Sequence, residues 1–278
     1  MHIHRRTADV AGHTRRFIVI EPEHLGPQPD LLLFFHGSHQ SANVIRRFTN
    51  GTVDALADAT NTLIVYPDGI DHHFNDTRAN LPVRARELGV DDVAFSTFLI
   101  ETMQREYATA RTFAAGYSNG GQMVLRLLFD APFSLTRACV FSSTLGEGSN
   151  HAPTHPDGYR PTPLLFIHGT EDPIAPYDGG LAGIDAHQTR GRVLSAPATA
   201  EYFARANGCR PARETQPLPG VTSTYYDGDY PVELWAMEGL GHVIPSSMET
   251  SPRIGPNTDS FNAVDKVRDF FDLGDAEG

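Results

Sequence analysis

Thr112-Phe113-Ala114-Ala115-Gly116-Tyr117-Ser118-Asn119-Gly120 is the stretch that decides the fold. Its last five residues read G-x-S-x-G. A short apolar run leads into them, and a helical pattern from Gln122 to Phe129 follows. Strand, sharp turn and helix in that order form an elbow that lifts a serine hydroxyl clear of a sheet edge. Glycines flank the serine because a side chain at either place would meet the neighbouring strand or helix. Such a serine suits attack on a carbonyl carbon.

Outward from the elbow, apolar runs alternate with helical patterns. Arg16 to Ile20, Leu31 to Phe35, Leu63 to Tyr66, Ala138 to Ser142, Leu164 to Ile167 and Val232 to Met237 read as strands. The continuous run Leu31 to Phe35 suits a strand covered on both faces. Helical stretches are expected over Ser41 to Thr60, broken near Asn50-Gly51, and from Asp91-Asp92 to Tyr107. Another starts at Ser195, which can cap a helix with Pro197 in its first turn and an end at Asn207-Gly208. A last one covers Ala263 to Phe271. The alternation predicts an α/β fold, a mostly parallel, doubly wound sheet with helices on both faces. No repeat or linker divides the chain, so residues 1–278 read as one domain, with a long polar loop, 70–90, set into it.

Composition narrows the function. The 278 residues carry 22 Lys and Arg against 34 Asp and Glu, a formal net charge of −12. Nucleic acid is therefore not the expected partner, since phosphate binding needs clustered basic residues. The longest apolar run near the front, Leu31 to Phe35, is far short of the ~20 residues that span a bilayer. The basic start, Met1 to Arg6, has no apolar region after it, so the expectation is a cytoplasmic protein, or a secreted one whose leader was removed. Two cysteines, Cys139 and Cys209, make no disulfide framework, and no CxxC spacing supports zinc. His72-His73 lacks a third ligand and reads as solvated. No metal or cofactor is expected.

A serine hydroxyl needs a base, and the base an orienting acid. In open α/β sheets ligands bind beyond the carboxyl ends of the strands. The Leu164–Ile167 strand runs into His168-Gly169-Thr170-Glu171-Asp172-Pro173, and the Val232–Met237 strand into Glu238-Gly239-Leu240-Gly241-His242. Ser118, Asp172 and His242 follow the chain order of doubly wound serine hydrolases. Glu171 and Asp178 are alternative acids. The developing oxyanion needs donors. One is expected from the backbone N–H of Asn119. The other should come from Ser38 in His36-Gly37-Ser38, with Gly37 as the alternative, while His168-Gly169 merely closes a strand.

With these residues in place, the chain resembles α/β-hydrolase esterases of the polyhydroxybutyrate depolymerase and feruloyl esterase type, from about residue 16 to 271. The resemblance is carried by Phe35-His36-Gly37-Ser38 with Gln40-Ser41, Tyr66-Pro67-Asp68-Gly69, Asp91-Asp92-Val93-Ala94-Phe95 and Gly116-Tyr117-Ser118-Asn119-Gly120-Gly121. His168-Gly169-Thr170-Glu171-Asp172 and Gly241-His242 complete it. It implies Ser118 as nucleophile, Asp172 as acid, His242 as base, and Ser38 and Asn119 as oxyanion donors. Two departures fall on the pocket wall. The family often has Thr-Trp-Pro-Gly after the base, where this chain has Val243-Ile244-Pro245-Ser246. It often has a Trp where this chain has His72-His73-Phe74-Asn75.

The expected activity is hydrolysis of small or polymeric carboxylic esters through an acyl-enzyme: short-chain, feruloyl or hydroxyalkanoate. The 70–90 loop is the expected pocket wall. There Phe74 either stacks on the acyl group or anchors the loop. Tyr117, Tyr177 and Ile244 are expected to border the pocket, and Trp235 to lie in the core. A non-catalytic binding protein on the same fold and a serine peptidase are the competing readings; no propeller or large cap is visible to select peptides. Oligomeric state is not legible.

Overall fold

Leucine and phenylalanine on both faces of one strand demand cover on both sides, and the structure supplies it. In this computed structural model, which describes residues 1–184 and 189–274, Asp30–Phe35 sits in the middle of a ten-stranded sheet. Leu31, Leu33 and Phe35 join one buried cluster, and Leu32 and Phe34 the other. This is the two-residue alternation of a strand buried on both faces.

The elements in chain order are β1 (His2–Val10), β2 (His13–Glu21), β3 (Asp30–Phe35), α1 (Ala42–Phe48), α2 (Thr52–Thr60), β4 (Thr62–Pro67), α3 (Arg84–Glu87) and α4 (Asp92–Tyr107). Then come β5 (Thr112–Tyr117), α5 (Asn119–Asp130), β6 (Arg137–Phe141), β7 (Leu164–Gly169), β8 (Gly180–Gly183), β9 (Thr189–Val193) and α6 (Ala196–Ala206). The chain closes with β10 (Arg213–Leu218), β11 (Val221–Tyr226), β12 (Val232–Met237) and α7 (Ala263–Phe271).

The sheet order is β1-β2-β4-β3-β5-β6-β7-β12-β11-β10. From β4 to β12 neighbouring strands run parallel, and antiparallel strands flank this centre on each side. Residues of α4, α5 and α6 pack on one face, and those of α1, α2 and α7 on the other. This is the α/β-hydrolase fold, and the expected doubly wound sheet is present. β8 and β9 form a separate two-stranded ribbon. Strands β1, β8, β9, β10 and β11 were not among the expected elements.

The 70–90 segment is not simply a polar surface loop. It contains α3, and Leu81, Val83, Ala85 and Val90 form a small buried cluster of their own. Its root is held by a buried ion pair: Asp92 bonds Arg15 at 2.5 Å and also accepts the Asn75 N–H at 2.7 Å. The Arg15 guanidinium lies over the Phe95 ring, 4.0 Å from its centroid. Cys139 and Cys209 are both free thiols.

Candidate active site

The elbow forms as the spacing predicts. Ser118 joins β5 to α5 with φ 55° and ψ −116°, a conformation that costs on the order of 1–3 kcal/mol for a residue with a side chain. Surrounding bonds hold it there. The Ser118 N–H donates to the Phe141 carbonyl at 3.0 Å, and the Ser118 carbonyl accepts from the Gln122 N–H and the Ser143 hydroxyl. Both glycines of the motif are sterically required. A Cβ on Gly116 would lie 2.3 Å from the Gly120 carbonyl oxygen, and one on Gly120 would lie 2.2 Å from that of Phe35.

Beyond the ends of β12 and β7, two loops bring His242 and Asp172 to the serine. His242 Nε2 is 2.8 Å from Ser118 Oγ, and His242 Nδ1 is 2.7 Å from Asp172 Oδ2. A carboxylate only accepts here, so Nδ1 carries the proton and Nε2 is free to take one from the serine. Asp172 Oδ1 accepts the N–H groups of Ile174 and Ala175, each at 2.8 Å. Burial pushes the Asp172 pKa up, but His242 and His168 more than offset it and hold the carboxyl well below its ordinary range. Asp172 is thus an anion without solvent, as an orienting acid must be. Neither of the alternative acids, Glu171 and Asp178, forms a hydrogen bond or ion pair with His242 among the described residues.

Tyr117 borders the pocket as expected, but its hydroxyl also donates to the His242 carbonyl at 2.6 Å, and its ring lies 5.1 Å from the imidazole. It therefore fixes the loop carrying His242. His168 does more than close a strand. Its Nε2 donates to the Ala175 carbonyl at 2.7 Å and lies 3.3 Å from Asp172 Oδ2, so it braces the turn that presents the acid. The one available signal was its position four residues before Asp172, directly at a core strand end.

The loop after β3 was the expected source of a second oxyanion donor, and its backbone N–H groups are mostly engaged. The Gly37 N–H is taken by Gln40 Oε1 at 2.9 Å, that of His39 by the His72 carbonyl, and that of Gln40 by the Gly37 carbonyl. Among the described residues this leaves the Ser38 N–H without a protein acceptor, beside the pocket that Ser118 opens into. The N–H of Asn119, the first helical residue after the serine, is likewise left over by helix geometry. The Asn119 side chain is fully engaged: its amide bonds the Phe74 N–H and carbonyl and donates to Asp76 Oδ2 at 2.7 Å.

The pocket has a volume of about 180 Å³. Its wall differs from the expectation. Phe74 is buried away from it, 5.3 Å from the Phe35 ring and 4.6 Å from that of His36, and acts as the anchor of its loop. Tyr177 lies against His168 outside the lining, and Ile244 faces the core under α7. Of the 70–90 loop only Arg78 reaches the pocket. The apolar wall comes instead from Phe48, Ile174, Ile184, Val193 and Ile254. These residues lie on segments far apart in sequence, and which way each side chain points is set only by folding.

Known proteins resemble the chain in sequence and in fold. Residues 87–192, which include Ser118 and Asp172, match a family model described as phospholipase/carboxylesterase. The chain is 26% identical over 242 residues to feruloyl esterase C of Emericella nidulans, covering 82% of this chain and 76% of that protein. It is 26% identical over 168 residues to a bifunctional acetylxylan esterase/xylanase of Neocallimastix patriciarum, covering 60% of this chain and 22% of that one. The chain spans 65%, 22% and 54% of the first three curated relatives it matches. In structure it superposes on an acetyl xylan esterase from Aspergillus awamori with a TM-score of 0.67 at 14% identity, over 99% of this chain and 100% of that one. The chain is thus an α/β-hydrolase-fold protein, similar in sequence to esterases of the feruloyl and acetylxylan kind.

Proposed function

We propose that the protein is a serine ester hydrolase working through an acyl-enzyme. The observation that carries this reading is the continuous hydrogen-bonded row from Ser118 Oγ through His242 to Asp172. His242 Nε2 takes the Ser118 proton as Oγ bonds to the ester carbonyl carbon. The N–H groups of Ser38 and Asn119 stabilise the negative oxygen of the tetrahedral intermediate. The carbon–oxygen bond to the alcohol breaks, and the imidazolium returns its proton to the leaving alkoxide. Water then adds to the acyl carbon, giving its proton to His242. Collapse releases the acid and restores the serine. Asp172 holds the imidazole in the required tautomer and stabilises its charged form.

A pocket of about 180 Å³ favours small acyl groups. The names of the relatives, acetylxylan and feruloyl esterase, support a short or single-ring acyl group. All the groups required stand along one sheet edge, so we assign the activity to a single catalytic domain. The test is turnover of p-nitrophenyl acetate and butyrate. Wild type hydrolyses them, and Ser118→Ala, with unchanged circular dichroism, does not rise above background. Equal rates in the two proteins count against the proposal.

A further inference from the structure

Two charged side chains in the pocket, Arg78 and Arg190, are not used by this chemistry. Arg190, on β9, is 6% exposed and lines the same pocket as Ser118 and His242. Its strand is pinned, since the Arg190 carbonyl accepts from Asn150 Nδ2 at 3.0 Å. Its guanidinium forms no ion pair or hydrogen bond among the described residues. A carboxylate that acts on it, Asp76, is already saturated. Asp76 Oδ1 accepts the Arg78 N–H at 2.9 Å and Nε at 3.2 Å, and Oδ2 accepts Arg78 Nη2 at 2.6 Å and Asn119 Nδ2 at 2.7 Å.

The balance of charge at the pocket is therefore positive. Arg78 and Arg190 both line it, and among the described residues no Asp or Glu does. Asp76 neutralises one of the two. This excess stands in a concave site of a chain whose net charge is −12. A buried cation with no counter-charge among the described residues is costly, and a ligand can supply that charge. Burial and Arg78 both push the Arg190 pKa down, against the pull of Asp76, which fits a guanidinium short of a partner. A guanidinium still keeps its proton, and its planar fork matches a carboxylate.

We propose that Arg190, with Arg78 beside it, is a carboxylate-binding subsite, and that the ester accepted by Ser118 carries a free carboxylate on its acyl group: a half-ester of a short dicarboxylic acid. This rests on the ester-hydrolase reading above and narrows its substrate class. The limited pocket volume keeps the chain between the two carbonyl groups short.

The experiment compares monomethyl glutarate and monomethyl adipate with the neutral methyl pentanoate and methyl hexanoate, followed by pH-stat. In wild type the half-esters have the higher kcat/KM, by about tenfold or more, mainly through KM. In Arg190→Gln the ratio of charged to neutral kcat/KM falls to about one, and Arg190→Lys keeps part of the preference. A merely structural role lowers both substrates together and leaves the ratio unmoved, which overturns the assignment. So does a wild type that turns over the neutral esters and not the half-esters. A second readout does not depend on turnover: monomethyl glutarate binds Ser118→Ala by calorimetry and fails to bind Ser118→Ala with Arg190→Gln. Absence of any ester turnover with this binding intact defeats the hydrolase reading and leaves the subsite standing; absence of binding defeats the subsite.

Discussion

Lowering the pH should destabilise this protein through one buried imidazole, His36, at the end of β3. The ring is fully buried. Its Nδ1 donates to the Gly37 carbonyl at 2.7 Å, and its Nε2 accepts the Gly69 N–H at 3.0 Å. A proton on Nε2 would therefore face another N–H in a fully buried site. Burial pushes the pKa down from 6.5 to about 4, aided by His72, His73 and Arg15 and opposed only by the bond to Gly37. Between these two values the unfolded chain binds a proton that the native state does not, so stability rises with pH across that window. His36 contributes fully above about pH 6.5, and that contribution is lost as the pH falls toward 4. The gap, at about 1.4 kcal/mol per pH unit, amounts to about 3 kcal/mol. Urea denaturation of wild type and His36→Gln at several pH values from 7 to 4 measures it. The difference in stability between the two should shrink by about this amount on acidification. Parallel curves, with a constant difference across the window, would refute the reasoning.

Other perturbations separate chemistry from support. Asp172→Asn keeps the shape of the row but not the tautomer of His242, and kcat should fall about 10⁴-fold in steady-state assays with little change in KM. Tyr117→Phe leaves the buried His242 carbonyl without its donor, so denaturation should show a loss of about 1–3 kcal/mol and kcat should drop more than KM rises. Asp92→Ala strands the Arg15 guanidinium and should cost about 3–5 kcal/mol by denaturation, whereas replacing Arg15 and Asp92 together by Met and Leu should recover much of it.

The elements that could be read from the sequence are those whose pattern is set by the core. β12 and α7 have the bounds their residues announce, because Val232–Met237 is buried throughout and the apolar residues of Ala263–Phe271 fall on one helix face. The hydrogen-bonded row of Ser118, His242 and Asp172 was legible for a related reason: a strand end fixes where the next residues stand, so the G-x-S-x-G motif, the chain order and the strand ends together pointed to these three. The outer strands were not. β1 is mostly exposed and held by pairing with β2, and β10 carries Arg213, Glu214, Gln216 and Pro217 with almost no apolar alternation. Their order comes from neighbouring backbone, which the local pattern does not encode. The pocket wall failed to be legible for a third reason. Phe74 is a large aromatic in a polar loop, but whether it faces ligand or core depends on Asn119, which clamps its backbone from 45 positions away.

The central claim is that Ser118 alone among the serines is activated by His242. Incubation with a fluorophosphonate, followed by intact-mass measurement and peptide mapping, tests it most directly. One adduct per chain, on the peptide carrying Ser118, absent in Ser118→Ala and strongly slowed in a folded His242→Ala variant, is the predicted result. A folded wild-type protein that stays unlabelled at Ser118, or labels equally fast without His242, would contradict it.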